Sequence, residues 1–316
     1  AGLYAHADVH ADPTSAGRQM GGHYATRSLN PDGSWKDLTK IKNSSADISP
    51  TGGQMPRLLG LALASKFYRN NPNLEGQEFK LFSNGGNEVA FGTIGDASTS
   101  EGMFWETINA AGVLQVPMVI SVWDDGHGIS VPKKYQTTKE DISEVLKGFQ
   151  RDENKKGYEI LKTKGWDFAH LCETYEKAAK IAREEHIPVL VHVDEMTQPQ
   201  GHSTSGSHER YKSPERLQWE KEHDCNLQFK KWILQNKIAS EEELETIEND
   251  ARKFVAEQKK ISWKKFHGPI MDELNEATAI IQKIAETSAY KAQLEEIEKE
   301  LMYSIDPLRK DVFKTV

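Results

Sequence analysis

The sequence predicts an α/β fold, a parallel sheet flanked by helices with a helical C-terminal extension, and three observations carry that expectation. First, three short apolar runs rich in β-branched residues, 88–94 (EVAFGTI), 117–123 (PMVISVW) and 188–193 (PVLVHV), have the length and composition of buried strands. Second, residues 98–115 between the first two runs place Phe104, Ile108 and Ala111 at helical spacing. Strand, turn, helix and strand thus follow in order, and a crossover of that length joins parallel strands. Third, beyond Tyr211 no strand-like run recurs, and helical periodicity continues to the end.

Taken along the chain, residues 1–54 are rich in Gly, Ser, Asp and Pro without sustained periodicity and read as loops with functional potential. From Met55 a buried helix is expected, with Pro56 in its first turn and Leu58, Leu61, Leu63 and Phe67 at helical spacing. A further helix over 166–185 leads into the third strand. Residues 214–260 read as helices, one of them opening at Ser240 ahead of Glu241, Glu242 and Glu243. Past Gly268 and Pro269, apolar residues at Ile270, Leu274, Ala277, Ile281 and Ile284, then Tyr290, Leu294, Ile297 and Leu301, mark an amphipathic tail. The organisation expected is an α/β domain over 1–212, a helical extension over 213–260 and an amphipathic linker or tail over 261–316.

Composition removes several classes of function. A net charge of −8 with dispersed basic residues argues against nucleic acid, whose phosphates require a clustered positive surface. No apolar run approaches the roughly 20 residues of a membrane span, and residues 1–20 lack the apolar core of a secretory signal. No membrane association and a cytoplasmic location are therefore expected. The two cysteines, Cys172 and Cys225, sit in helix-like patterns far apart and read as reduced structural thiols.

Chemistry concentrates where the first two strands end. GDASTSEG (residues 95–102) follows the first strand, at the sheet edge where α/β folds bind ligands. Ser98 and Glu101 have capping-box spacing, so a helix is expected to open near Ser98 with backbone N–H groups that favour a phosphate. Asp96 beside that mouth requires an intervening cation, and Mg²⁺ is the ion that takes one or two carboxylates with phosphate oxygens. WDDGHGIS (residues 123–130) follows the second strand, and its Asp125 lies 29 positions after Asp96, about what a crossover helix and a strand consume. Each half alone is a common turn sequence; the pair points to a shared ion.

These segments resemble the thiamine-diphosphate motif of the 2-oxoacid dehydrogenase alpha subunits, Gly-Asp-Gly followed after a gap by Asn-Asn. DPTSAGRQMGGHY, SPTGGQMP and TQPQGHSTSGSHERY match further family segments in order, so the likeness covers roughly residues 10–215. The resemblance implies a thiamine-diphosphate-binding fold and Mg²⁺ held by the side chains of Asp96 and Asp125 and the backbone carbonyl of His127. It places Gly95, Ala97, Ser98, Gly128 and Ile129 against the cofactor, with backbone groups of Ala97 and Ser98 touching its diphosphate. It puts Ser49 and Thr51 near the aminopyrimidine, where some members hold K⁺. His202, in GHSTS, matches an active-site histidine. Ser203 belongs to the same catalytic loop, and Ser203 and Ser205 match positions phosphorylated in some animal members. A lone His in a polar loop is otherwise most often just solvated. An imidazole titrating near neutrality can nonetheless protonate or hydrogen-bond what decarboxylation leaves.

The implied activity is oxidative decarboxylation of a 2-oxoacid with acyl transfer to a lipoyl domain. The implied partner is a beta subunit or fused beta portion that supplies the activating glutamate, in a dimer of alpha-beta units. Three departures stand out: Asp125 replaces the usual Asn, Trp123 stands where some branched-chain members have a diphosphate-pairing Arg, and the family's Tyr-Arg clamp of the diphosphate, expected ahead of Ala1, is missing from this sequence. Each lowers the positive potential available to a diphosphate, so weak cofactor binding by this chain alone is expected. The rivals are a transketolase-like enzyme and a non-catalytic assembly module.

Overall fold

A computed structural model describes residues 28–40, 50–74, 76–202 and 207–315. They fall into two compact units, one of residues 36–40 and 50–241, the other of residues 28–35 with 242–315. Of the expected site residues, Ser49 and Ser203 lie outside the described residues, as do Ser205 and the DPTSAGRQMGGHY segment.

The larger unit is built on four parallel strands in the order β1-β2-β6-β5: β1 (Ala90–Gly95), β2 (Met118–Trp123), β6 (Val189–Asp194) and β5 (Glu159–Lys164). Between β2 and β5 lie a two-residue hairpin, β3 (His127–Gly128) and β4 (Val131–Pro132), and the short helix α3 (Ile142–Val145). Helix α1 (Met55–Asn70) opens on Pro56 as expected and buries Met55, Leu58, Ala62 and Ser65. That stripe follows the helical repeat and leaves Leu61 and Phe67, expected on the buried face, exposed. Helix α2 (Gly102–Leu114) buries Phe104, Ile108 and Ala111 and joins β1 to β2 in the expected parallel crossover. Helix α4 (Phe168–Glu185), capped by Asp167, packs Ala178, Ile181 and Ala182 against Val119, Val189 and Val191.

Strand β5 was not expected. Its sequence, EILKTK, mixes charge with apolar residues because it forms an outer strand of the sheet and is only half buried. The start of α2 is also a correction. Residues Ala97–Ser100 form a tight turn in which the Thr99 N–H and hydroxyl both return to the Asp96 carbonyl, and Ser98 makes no side-chain cap. Glu101 is extended at ψ 138°, so the α-helix begins at Gly102 rather than near Ser98. The local side-chain and backbone bonds of Thr99 win over the capping box.

Helices α5 (Pro214–Glu222) and α6 (Cys225–Gln235) complete the larger unit, each with a side-chain cap, from Ser213 and Asp224. Cys172 and Cys225 are free thiols. The second unit contains nearly all of α7 (Glu241–Ala285) together with α8 (Lys291–Met302) and α9 (Arg309–Phe313). Its core gathers Ile270, Leu274, Ala277, Leu301 and Val312. Helix α7 runs without interruption through Pro269 and across the expected division at 260/261. Among the described residues, no helix is long and apolar enough to cross a membrane.

Candidate cofactor and metal site

The parallel register brings the two acidic turns together. Gly95 at the end of β1 pairs with Trp123 at the end of β2, and the Asp96 N–H donates to the Trp123 carbonyl at 3.0 Å. The Asp124 N–H in turn donates to the Val193 carbonyl on β6 at 2.9 Å. Three adjacent strands thus deliver Asp96, Asp124–Asp125 and Asp194 to one carboxyl edge. A cleft of about 640 Å³ opens there. Thr51, Gly95, Asp96, Ala97, Ser98, Asp125, His127, Gly128, Ile129 and His202 all line it, together with Glu101, Trp123, Gln136 and residues Met196, Thr197 and Gln198.

The carboxylates at this edge have different environments. Asp124 is fully partnered: its Oδ1 accepts from the Gly126 N–H at 2.8 Å, and its Oδ2 accepts from the Lys133 ammonium at 2.8 Å and faces His192 Nε2 at 3.0 Å. Burial alone would push its pKa up, but the bonds from His192 and Lys133 outweigh burial and hold it below the usual range. Asp194 sits 3.6 Å from Lys133 and 3.1 Å from Lys162. Ligand atoms of Asp124, His192 and Asp194 lie within 4.8 Å of one another, close enough for a metal. The cation in that group, however, is the Lys133 ammonium.

Asp96 is the opposite case. It is 5% exposed, and its Oδ2 is buried with no hydrogen-bond partner. Burial, then the charges of Asp124 and Asp125, push its pKa up to about 7. Asp125 is also raised, by burial, with the His127 N–H and the Lys212 charge offsetting part of that cost. Two carboxylates of a shared cleft thus sit at a cost that a cation would relieve, while the neighbouring pair is already satisfied.

The hairpin after Asp125 shapes the rest of the cleft. The Asp125 Oδ1 accepts from the His127 N–H at 3.0 Å, which sets the turn. The Lys133 N–H donates to the Gly126 carbonyl at 2.9 Å, so 126 and 133 form a hydrogen-bonded pair of the ladder. By alternation His127 and Pro132 form a non-hydrogen-bonded pair. Pro132 loses nothing there for lack of an N–H, and the His127 carbonyl faces away from β4. Gly128 lies so close to Ala97 that a Cβ on it would meet the Ala97 Cβ at 2.7 Å and the Gln136 side chain at 2.6 Å. Ile129 holds φ 57°, a strained value for a β-branched residue and one that hairpins ordinarily give to Gly or Asn.

His202 is exposed at the cleft's border, in the segment that follows β6. The sequence did not single out Lys133, His192 or Asp194 for the site. A histidine inside the apolar run PVLVHV was the available signal, since a buried imidazole needs a partner. His192 is fully buried and finds two, Asp124 and the Ser143 hydroxyl at 2.6 Å.

A family profile described as "Dehydrogenase E1 component" matches residues 25–269. The chain belongs to the dehydrogenase E1 component family. Among its relatives, the pyruvate dehydrogenase E1 component subunit alpha of Rickettsia felis is 28% identical over 227 residues, 70% of this chain and 60% of that protein. The 2-oxoisovalerate dehydrogenase subunit alpha of Bacillus subtilis is 25% identical over 248 residues, 78% of this chain and 64% of that protein. A mitochondrial counterpart from Arabidopsis thaliana, 2-oxoisovalerate dehydrogenase subunit alpha 1, is 28% identical over 75% of this chain and 43% of its own length. The chain spans about three-fifths of the length of the alpha-subunit relatives from Rickettsia felis and Bacillus subtilis. A transketolase from Campylobacter jejuni superposes at a TM-score of 0.35 and 17% identity, covering 48% of this chain and 20% of that one. E1 family membership therefore rests on sequence, and the parallel sheet flanked by helices agrees with it.

Proposed function

We propose that this chain is the alpha part of a 2-oxoacid dehydrogenase E1 enzyme and that its cleft takes Mg²⁺ with the diphosphate of thiamine diphosphate. The observation that carries the reading is the Asp96 carboxylate, buried and without a partner for Oδ2 beside Asp125. Hard oxygen donors, the side chains of Asp96 and Asp125 and the His127 carbonyl, suit Mg²⁺ with phosphate oxygens completing its shell. Gly95, Ala97 and Ser98 border the same space, and the close approach of Gly128 to Ala97 keeps it free of side chains on that side.

When bound, thiamine diphosphate supplies the electron sink for decarboxylating a 2-oxoacid. The chain's own residues supply placement. Asp96 and Asp125 would hold the cation, and Asp124 with Lys133 and His192 holds the Asp125 turn. His202, at the border of the cleft, would hold or deliver a proton at the carbonyl oxygen of the 2-oxoacid. The relatives' names, E1 component and subunit alpha, support a partner: a beta subunit or fused beta portion that completes the pocket in a dimer of alpha-beta units. A lipoyl domain would receive the acyl unit. Replacing His202 with Ala in the complete enzyme is expected to lower turnover at least about tenfold with little change in melting temperature, because the exposed ring supports no core. Lost stability with retained turnover would make His202 a structural residue.

A further inference from the structure

Behind the cleft, α5 carries an ion cluster that the catalytic reading does not use. Glu220 and the Lys212 side chain are almost fully buried, and the Lys212 ammonium donates to both Glu220 oxygens, at 2.8 and 3.0 Å. The Arg216 Nε donates to the same carboxylate at 2.8 Å. The guanidinium lies over the Trp219 ring at 4.6 Å, and its Nη2 reaches the backbone carbonyls of Asp125 at 3.2 Å and Met196 at 3.4 Å. Tyr211, next to Lys212, sets its ring 5.6 Å from that of His127. A fork of fixed donors between a carboxylate and two carbonyls is an arrangement that guanidinium makes and ammonium does not.

Two features give this cluster a direction. The carbonyls it grips belong to Asp125, whose side chain lines the cleft, and to Met196, where the segment leading to His202 begins. The far end of that segment is held as well, since Lys212 follows Tyr211 and is locked to Glu220. Two cations against one carboxylate also leave one positive charge behind a cleft lined by Asp96, Glu101 and Asp125. Trp123, where the resemblance placed a diphosphate-pairing Arg, supplies none.

We infer that the Lys212–Glu220–Arg216 triad is a positioning device, which fixes the Asp125 turn and both ends of the His202 segment and makes metal affinity depend on residues outside the cleft. The inference rests on the reading of the cleft as a Mg²⁺-diphosphate site. Arg216 and Glu220 are positioning residues, acting through the Asp125 and Met196 backbone.

The test uses the full chain, Mn²⁺ as a paramagnetic stand-in for Mg²⁺, and thiamine diphosphate, with free Mn²⁺ followed by electron paramagnetic resonance and amide exchange followed by mass spectrometry. Arg216→Met is expected to weaken Mn²⁺ binding by about tenfold or more, the usual cost of losing a group that orients a ligand. It should also speed exchange in peptides covering 124–130 and 196–202 but not in β2 or α4. Arg216→Lys, which keeps the Glu220 pair and loses the fork, should fold as wild type and fall between the two; it carries the test if the Met variant fails to fold. Asp96→Asn is the control for the cleft itself. If Asp96→Asn abolishes binding while both Arg216 variants stay within about twofold of wild type, the positioning role is wrong and the cleft reading stands. If wild type takes no Mn²⁺, the cleft reading fails, and exchange still decides the triad: unchanged exchange at 124–130 in Arg216→Lys and Arg216→Met overturns it.

Discussion

Neighbouring aspartates at one sheet edge show how little residue type alone determines. Asp124 and Asp125 are adjacent in WDDG, yet Asp124 binds Lys133, His192 and the Gly126 N–H while Asp125 lines the cleft. The separation of Asp96 from Asp125 was legible because a crossover has a characteristic length. What separates Asp124 from Asp125 was not legible, since it is decided by Lys133 and His192, which lie 9 and 68 positions from Asp124. Asp96 yields a pH prediction for the metal-free chain. Folded Asp96 keeps its proton up to about pH 7, while an unfolded aspartate loses it near 3.8, so the folded state binds more protons between those values. Its contribution to stability is therefore full below pH 3.8 and is lost as pH rises through 7. Asp96→Asn should stabilise the metal-free chain at pH 8 by roughly 1–3 kcal/mol, with the gain vanishing toward pH 4. Urea unfolding at both pH values checks it; an Asn variant less stable at pH 8 would show that Asp96 is held by a partner. Ile129 offers a second residue-scale outcome. Ile129→Gly should relieve a left-handed β-branched residue, worth about 1 kcal/mol or more, and raise the melting temperature while loosening the cleft wall.

At the scale of elements, the crossover β1-α2-β2 was readable because periodicity and β-branching agree there. Strand β5 was not, because EILKTK balances charge against apolar residues and only its pairing with β6 makes it a strand. The early helix start failed for a local reason, Thr99 returning two bonds to Asp96 and displacing α2 to Gly102. The hairpin after Asp125 is the element on which the cleft depends most. Gly128→Ala would drive a methyl into Ala97 and Gln136, so the expected result is a cost of about 1–3 kcal/mol in stability and loss of most metal-dependent cofactor affinity. Pairing it with Ala97→Gly should recover part of both, since one of the two close contacts is then removed. Calorimetric unfolding and binding of the single and double variants decide this; additive losses would mean the two turns are not in contact. Helix α7 carries Pro269 in its interior, where the missing N–H and the ring both cost stability. Nothing in the structure explains why a proline is kept there.

For the molecule as a whole, the ordered motifs led to the E1 family that the profile over residues 25–269 shows. The charge of the cleft was harder to read. Asp125 and Trp123 suggested a site short of positive potential, yet Lys133 from the end of the hairpin, and Lys212 and Arg216 from beyond β6, stand behind it. Whether they suffice without a beta portion is a matter of affinity. The aminopyrimidine end is expected to rest on that partner, so this chain alone should bind thiamine diphosphate with a Kd of about hundreds of micromolar or weaker. The most direct measurement is a calorimetric titration of thiamine diphosphate into the chain with and without Mg²⁺, for wild type and Asp96→Asn. The account predicts weak binding that requires Mg²⁺ and disappears in the variant. Low-micromolar binding, or equal binding by wild type and Asp96→Asn without metal, would contradict it.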